Sequence, residues 1–163
     1  MDKLQSIFVD AGFSNVTTLI ASGNLWLQTP QKSLTKLREQ IEQLLLDSLG
    51  FEVDTFLRTE RQLESIYSAN PFAADQASDE QVNVHVFFFH EPLSLSTVDV
   101  LTRNQTTTDR IQVVGTEAYW HCYGKMTDSV YWTQPEIKKI KLPTNTARNI
   151  DTIKRMLKVP QSK

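Results

Sequence analysis

Six residues stand where they could hold a small ligand through hydrogen bonds and charge. Ser22, Gly23 and Asn24 form a Ser-Gly-Asn turn signal, while Arg148, Asn149 and Thr152 surround the start of a C-terminal helical pattern. A hydroxyl and an amide flanking a glycine can bind a ligand once the turn is made, although the same three residues also make an ordinary hairpin turn. Asn149 suits the cap of the last helix, whose first turn offers unsatisfied N–H groups and the positive end of a dipole. Arg148 beside it could grip a carboxylate or phosphate with two parallel hydrogen bonds. Plain capping plus an internal arginine salt bridge accounts for the same residues without a ligand, and Asp151 already suits the dipole.

Other chemistries find less support. The histidines are His85, His90 and His121, with no pair at helical spacing and no Cys-x-x-Cys, so no metal site is expected. Five glycines make neither a G-x-G-x-x-G nor a phosphate loop, and no cofactor is expected. Cys122 lies in a strand-like run between His121 and Tyr123, where neighbours face opposite ways; it reads as a structural thiol and not as a nucleophile. Tyr119, His121 and Tyr123 would share one strand face, with Trp120 on the other; packing explains such a row more simply than ligand stacking. No base–nucleophile pair is legible in the spacing, but His85 or His121 could transfer a proton if the chain were an enzyme.

These residues need elements to position them. Leu4, Ile7, Phe8 and Ala11 recur at helical spacing before Gly12. Val16–Ala21 and Leu25–Leu27 read as strands around the Ser22–Asn24 turn. Leu34, Leu37, Ile41, Leu44 and Leu45 form a helical stripe closed by Gly50, and Val53–Leu57 reads as a strand. Thr59 and Gln62 match a capping box for a helix that stops before Pro71, and residues 71–81 read as a polar loop. Val82–Phe89 is apolar on both faces, which predicts an interior strand. A short helix follows at Ser94–Leu101, then a hairpin of Ile111–Val114 and Ala118–Tyr123 around Gly115, then helices near 134–141 and 149–158.

The order predicts an α+β chain of two ferredoxin-like plait subdomains, each close to a split βαβ, the first missing its opening strand. The boundary is expected between a truncated plait at 1–58 and a second α+β subdomain at 59–163. Hydrophobic residues at 40% and charged residues at 22% argue against disorder. The longest plainly apolar run, Val86–Phe89, falls far short of the ~20 residues of a membrane span. A single cysteine and no apolar signal core point to a reducing, cytoplasmic setting. The net charge of −2 conceals an asymmetry: residues 137–163 carry Lys138, Lys139, Lys141, Arg148, Lys154, Arg155, Lys158 and Lys163 against Asp151 alone. That basic end could meet an anion or nucleic acid, though no aromatic residue is interleaved for base stacking.

The run Gly12-Phe13-Ser14-Asn15-Val16 through Ser22-Gly23-Asn24 resembles a stretch of the bacterial family called domain of unknown function 1697. Leu57-Arg58-Thr59, Asn70-Pro71-Phe72, and Thr146-Ala147-Arg148-Asn149 leading to Thr152 agree with it. The resemblance implies two plait-type subdomains and no assigned activity. The family usually opens with a further strand and a Gly-rich turn, so Met1 is expected to be an internal start or the chain to be truncated. Two further departures are Lys125-Met126-Thr127-Asp128-Ser129, where the family has a Gly-rich Ser-Lys-Leu stretch, and Ile150, where it has tryptophan.

The expected function is a binding or regulatory module for a small anionic ligand, using Ser22, Gly23, Asn24, Arg148, Asn149 and Thr152. An enzyme built on the same polar cluster, or a non-catalytic protein or nucleic-acid interaction domain, is the alternative. An incomplete plait would leave strand edges unpaired, which predicts self-association.

Overall fold

Residues 2–19 and 23–159 are described by a computed structural model. The chain divides into two compact units, one running to Arg58 and taking in Val159, the other Thr59–Lys158. The fold is α+β with two sheets.

In the first unit, helix α1 (Asp2–Asp10) precedes strands β1 (Ser14–Leu19) and β2 (Asn24–Gln28), which pair antiparallel, and helix α2 (Leu34–Leu49) follows. Phe8, Phe13, Val16, Leu37, Ile41 and Leu45 form its core, the stripes expected from helical and strand periodicity. β1 carries a bulge between Ser14 and Thr17, where Asn15 takes φ 51°. Asparagine tolerates that left-handed conformation better than most residues. Gln5 Nε2 steadies the bulge by donating to the Val16 carbonyl at 2.8 Å. Ser33 caps α2 through the Lys36 N–H, and Gly50 ends it at φ 80°. The strand expected at Val53–Leu57 is absent. That segment belongs to no ladder; Val53 and Leu57 pack on the core, and Glu42 accepts from the Thr55 N–H at 2.9 Å. An apolar run without a partner strand lacks the hydrogen bonds that define a strand.

The second unit has helices α3 (Glu60–Ser68) and α4 (Ala73–Ser78), strand β3 (Val82–Phe89), helix α5 (Leu95–Arg103), hairpin strands β4 (Asp109–Val114) and β5 (Glu117–Tyr123), a short helix α6 (Pro135–Lys138), strand β6 (Asn145–Asn149) and helix α7 (Ile150–Met156). The antiparallel sheet runs β4-β5-β3-β6, with β3 inside as its apolar faces predict. The capping box forms as expected: Thr59 Oγ1 accepts from the Gln62 N–H, and Gln62 Oε1 from the Thr59 N–H. Leu101, Tyr131 and Ile137 pack with Phe89, Ile111, Ala118, Trp120 and Cys122 on one sheet face. Val84, Val86, Tyr119 and His121 occupy the other face, where Tyr119 Oη donates to the Ile66 carbonyl at 2.7 Å and Phe72 meets His121 edge-on.

The second unit differs from the sequence expectation in two further segments. Residues 71–81 are not all loop: Ala73, Ala74, Gln76 and Ala77 carry high helix propensity, and Asn70 Oδ1 fixes the turn that opens α4 by accepting from the Phe72 N–H. Residues 145–149, given no strand in the sequence, form strand β6, which among the described residues pairs with β3 alone. An edge strand with mixed polar side chains shows no apolar alternation to announce it.

Candidate functional site

Alternation along β3 puts Asn83, His85 and Phe87 on the sheet face that carries Trp120. The β3–β5 register sets His85 opposite Trp120, and the two rings lie 5.2 Å apart. The β3–β6 register sets His85 opposite Asn149. Gly124 follows β5, and its φ of 79° suits a residue without a Cβ and turns the chain sharply past β3. Gly124 N donates to the Gln81 carbonyl at 2.8 Å, and Asn83 Nδ2 donates to the Gly124 carbonyl at 2.9 Å. These bonds hold the loop against the start of β3. Beside them lies a shallow, open cleft of about 540 Å³, lined by Gln81, Asn83 and His85 and by Gly124 to Thr127.

The electrostatics of this cleft are simple. Burial lowers the His85 pKa, which keeps the imidazole neutral at neutral pH. Among the described residues none hydrogen-bonds its ring nitrogens, so one can accept and one can donate to a guest. Lys125 is exposed at the mouth and lies in no ion pair among the described residues. Asp128, outside the lining, accepts from Thr127 Oγ1 at 3.2 Å. The arrangement can therefore hold a negative group through Lys125 and exchange a proton or hydrogen bond at His85.

The residues singled out in the sequence fall in different places. Ser22 lies outside the described residues. Gly23 takes φ 71°, and Asn24, buried, opens β2 opposite Leu19, both within the first unit. Arg148 and Asn149 are consecutive in β6, so their side chains point to opposite faces. Arg148 lies opposite Val86, and its Nη1 donates to Thr146 Oγ1 and to the Ala147 carbonyl, each at 2.7 Å. Burial lowers its pKa, but a guanidinium stays charged. Asn149 caps α7 by accepting from the Asp151 N–H at 2.8 Å, and Thr152 stands in the first turn. Of the residues that line the cleft, the sequence offers His85 alone as a candidate for proton transfer, and Asn83, Lys125, Met126 and Thr127 are site residues only in the structure. The sequence signals at the loop are a Gly-Lys step directly after a strand and the departure of Lys125–Ser129 from the family's Gly-rich stretch.

Cys122 is buried, and burial first, then Asp109 and Asp128, push its thiol up to about 11, which removes it as a nucleophile. Tyr119 and His121 are packing residues, while Tyr123 on the same face is exposed.

The sequence profile of the family described as "Protein of unknown function (DUF1697)" matches residues 1–119. The chain belongs to the DUF1697 family. The matched span includes Asn83 and His85 and ends before Lys125 and β6. A solved structure, that of the conserved bacterial protein SP0830 from Streptococcus pneumoniae, superposes with a TM-score of 0.69 at 21% identity. The likeness covers 97% of this chain and 88% of that one, and it bears on the fold alone. No curated protein matches this DUF1697 member. No helix among its described residues is long and apolar enough to cross a membrane.

Proposed function

We propose that this DUF1697 protein is a binding or regulatory module whose small anionic ligand sits in the cleft between the start of β3 and the Gly124–Thr127 loop. One observation carries this: a lysine in no ion pair and a histidine with unengaged ring nitrogens, among the described residues, face one concavity whose lining includes no carboxylate. Asn149, the cross-strand neighbour of His85, is not among the residues that line the cleft and is assigned to capping α7. Arg148, on the other face, is assigned to bracing the β6 backbone. The strand order β4-β5-β3-β6, with α5 and α6 as crossovers on one face, supports a ferredoxin-like plait for the second unit. A buried, unpaired thiol supports a reducing, cytoplasmic location.

The test is an amide-shift titration of the full chain with inorganic phosphate. Movement of the Gly124–Thr127 and His85 amides is expected, weakened about tenfold or more by Lys125→Ala. Shifts confined to the start of α7, or none at all, would defeat the assignment.

A second role, self-association, is favoured by the first unit's sheet, which has only two strands among the described residues. Strand edges left outside a ladder are templates for another chain. Light scattering should then show a species heavier than 18.7 kDa whose share grows with concentration; a monomer at all concentrations rejects it.

A further inference from the structure

Resting on the cleft proposed above, we infer that its ligand is a planar aromatic ring bearing a single acidic group, the ring stacked on His85 and the acid directed to Lys125. His85 is the outermost member of an aromatic series. Trp120 backs it at 5.2 Å with a tilt of 34°, and Trp120 meets Trp132 edge-on at 5.4 Å. Trp120 is almost fully buried, so the imidazole is held on a rigid support while its own part-exposed side lines the cleft. A neutral imidazole offers a π-face that accepts an offset aromatic partner. Met126, 55% exposed, stands on the opposite wall. Its unbranched thioether can close over a ring edge without a fixed shape of its own.

The polar inventory narrows the class further. Asn83 and the Gly124 backbone spend hydrogen bonds on holding the loop, and Thr127 donates to Asp128. The Gln81 amide stays open to a guest, and a polyphosphate would meet a single cation among the lining residues. One cation lines the cleft and no carboxylate does, which matches one negative charge.

The experiment titrates the full chain with naphthalene-2-carboxylate, naphthalene-2-carboxamide and acetate, following the amides of His85 and Gly124–Thr127. The aromatic acid should bind roughly tenfold more tightly than either the neutral amide or acetate. His85→Ala should weaken the aromatic acid roughly three- to tenfold and leave acetate unchanged. His85→Phe, which keeps a ring, should retain the aromatic acid; its loss in a folded His85→Phe protein overturns stacking. Equal binding of acetate and the aromatic acid overturns the aromatic class while the anion site stands. Equal binding of acid and carboxamide overturns the charge requirement. Absence of shifts at these amides with every probe, inorganic phosphate included, removes the site itself.

Discussion

Trp120 donates its indole N–H to the carboxylate of Asp109 at 3.0 Å, and both side chains are almost fully buried. Ser129 Oγ donates to the same oxygen at 2.6 Å, and Thr108 Oγ1 donates to the other at 2.8 Å. Ser129 Oγ in turn accepts from the Tyr131 N–H. One buried acid thus ties β4, β5 and the segment after the cleft loop together. Asp109→Ala leaves these donors without an acceptor and is expected to cost about 3–5 kcal/mol. The midpoint of urea unfolding measures it; a loss under about 1 kcal/mol would show the network to be dispensable.

Alkaline pH should unfold the chain earlier than its surface charge suggests. Burial raises the Cys122 thiol to about 11 and, with Glu117 adding, the Tyr119 phenol to about 12. Both are acids whose folded pKa lies above the unfolded one. Their stabilisation is complete below about pH 8.5, where the unfolded thiol begins to ionise, and is lost as pH rises through the folded values. Melting temperature should fall from about pH 9 upward, less steeply in Cys122→Ala. An unchanged slope in that variant contradicts the assignment.

At the acid side the sign reverses. His85 has a lowered folded pKa, so its contribution is present above about pH 6.5 and lost as pH falls. Proton NMR should place its titration below that of an exposed histidine. His85→Phe should flatten the loss of stability between about pH 6.5 and 5.

His121 is 4% exposed, and its Nδ1 has no hydrogen-bond partner among the described residues. Its ring meets Phe72 at 5.4 Å and its strand partner is Val84. His121→Phe removes the unsatisfied polar atom at similar volume and should be neutral or stabilising by up to about 1 kcal/mol. Destabilisation beyond about 1.5 kcal/mol would mean that the imidazole makes an essential bond, for instance through buried water.

Thr59→Ala removes the hydroxyl that accepts from Gln62 N and should cost about 1 kcal/mol, with Thr59→Ser largely restoring it. Thermal unfolding of the pair checks this; equal melting temperatures for the two variants would deny the capping bond its role.

Local signals were legible from the residues alone. The Leu37–Ile41–Leu45 stripe with its Gly50 stop, the Thr59–Gln62 capping box, the interior character of Val82–Phe89, the hairpin at Gly115 and the cap at Asn149 each depend on residues within a few positions of one another. Helical and strand periods and side-chain-to-backbone bonds act at that range. Tertiary structure alone decided that 145–149 pairs with β3, that Val53–Leu57 joins no ladder, and that Arg148 and Asn149 face opposite ways. It also brought Lys125 and His85, forty residues apart, to one cleft and buried Asp109 under Trp120. Register, face and long-range contact are set by which strand lies alongside, and no residue carries that information in its own neighbourhood.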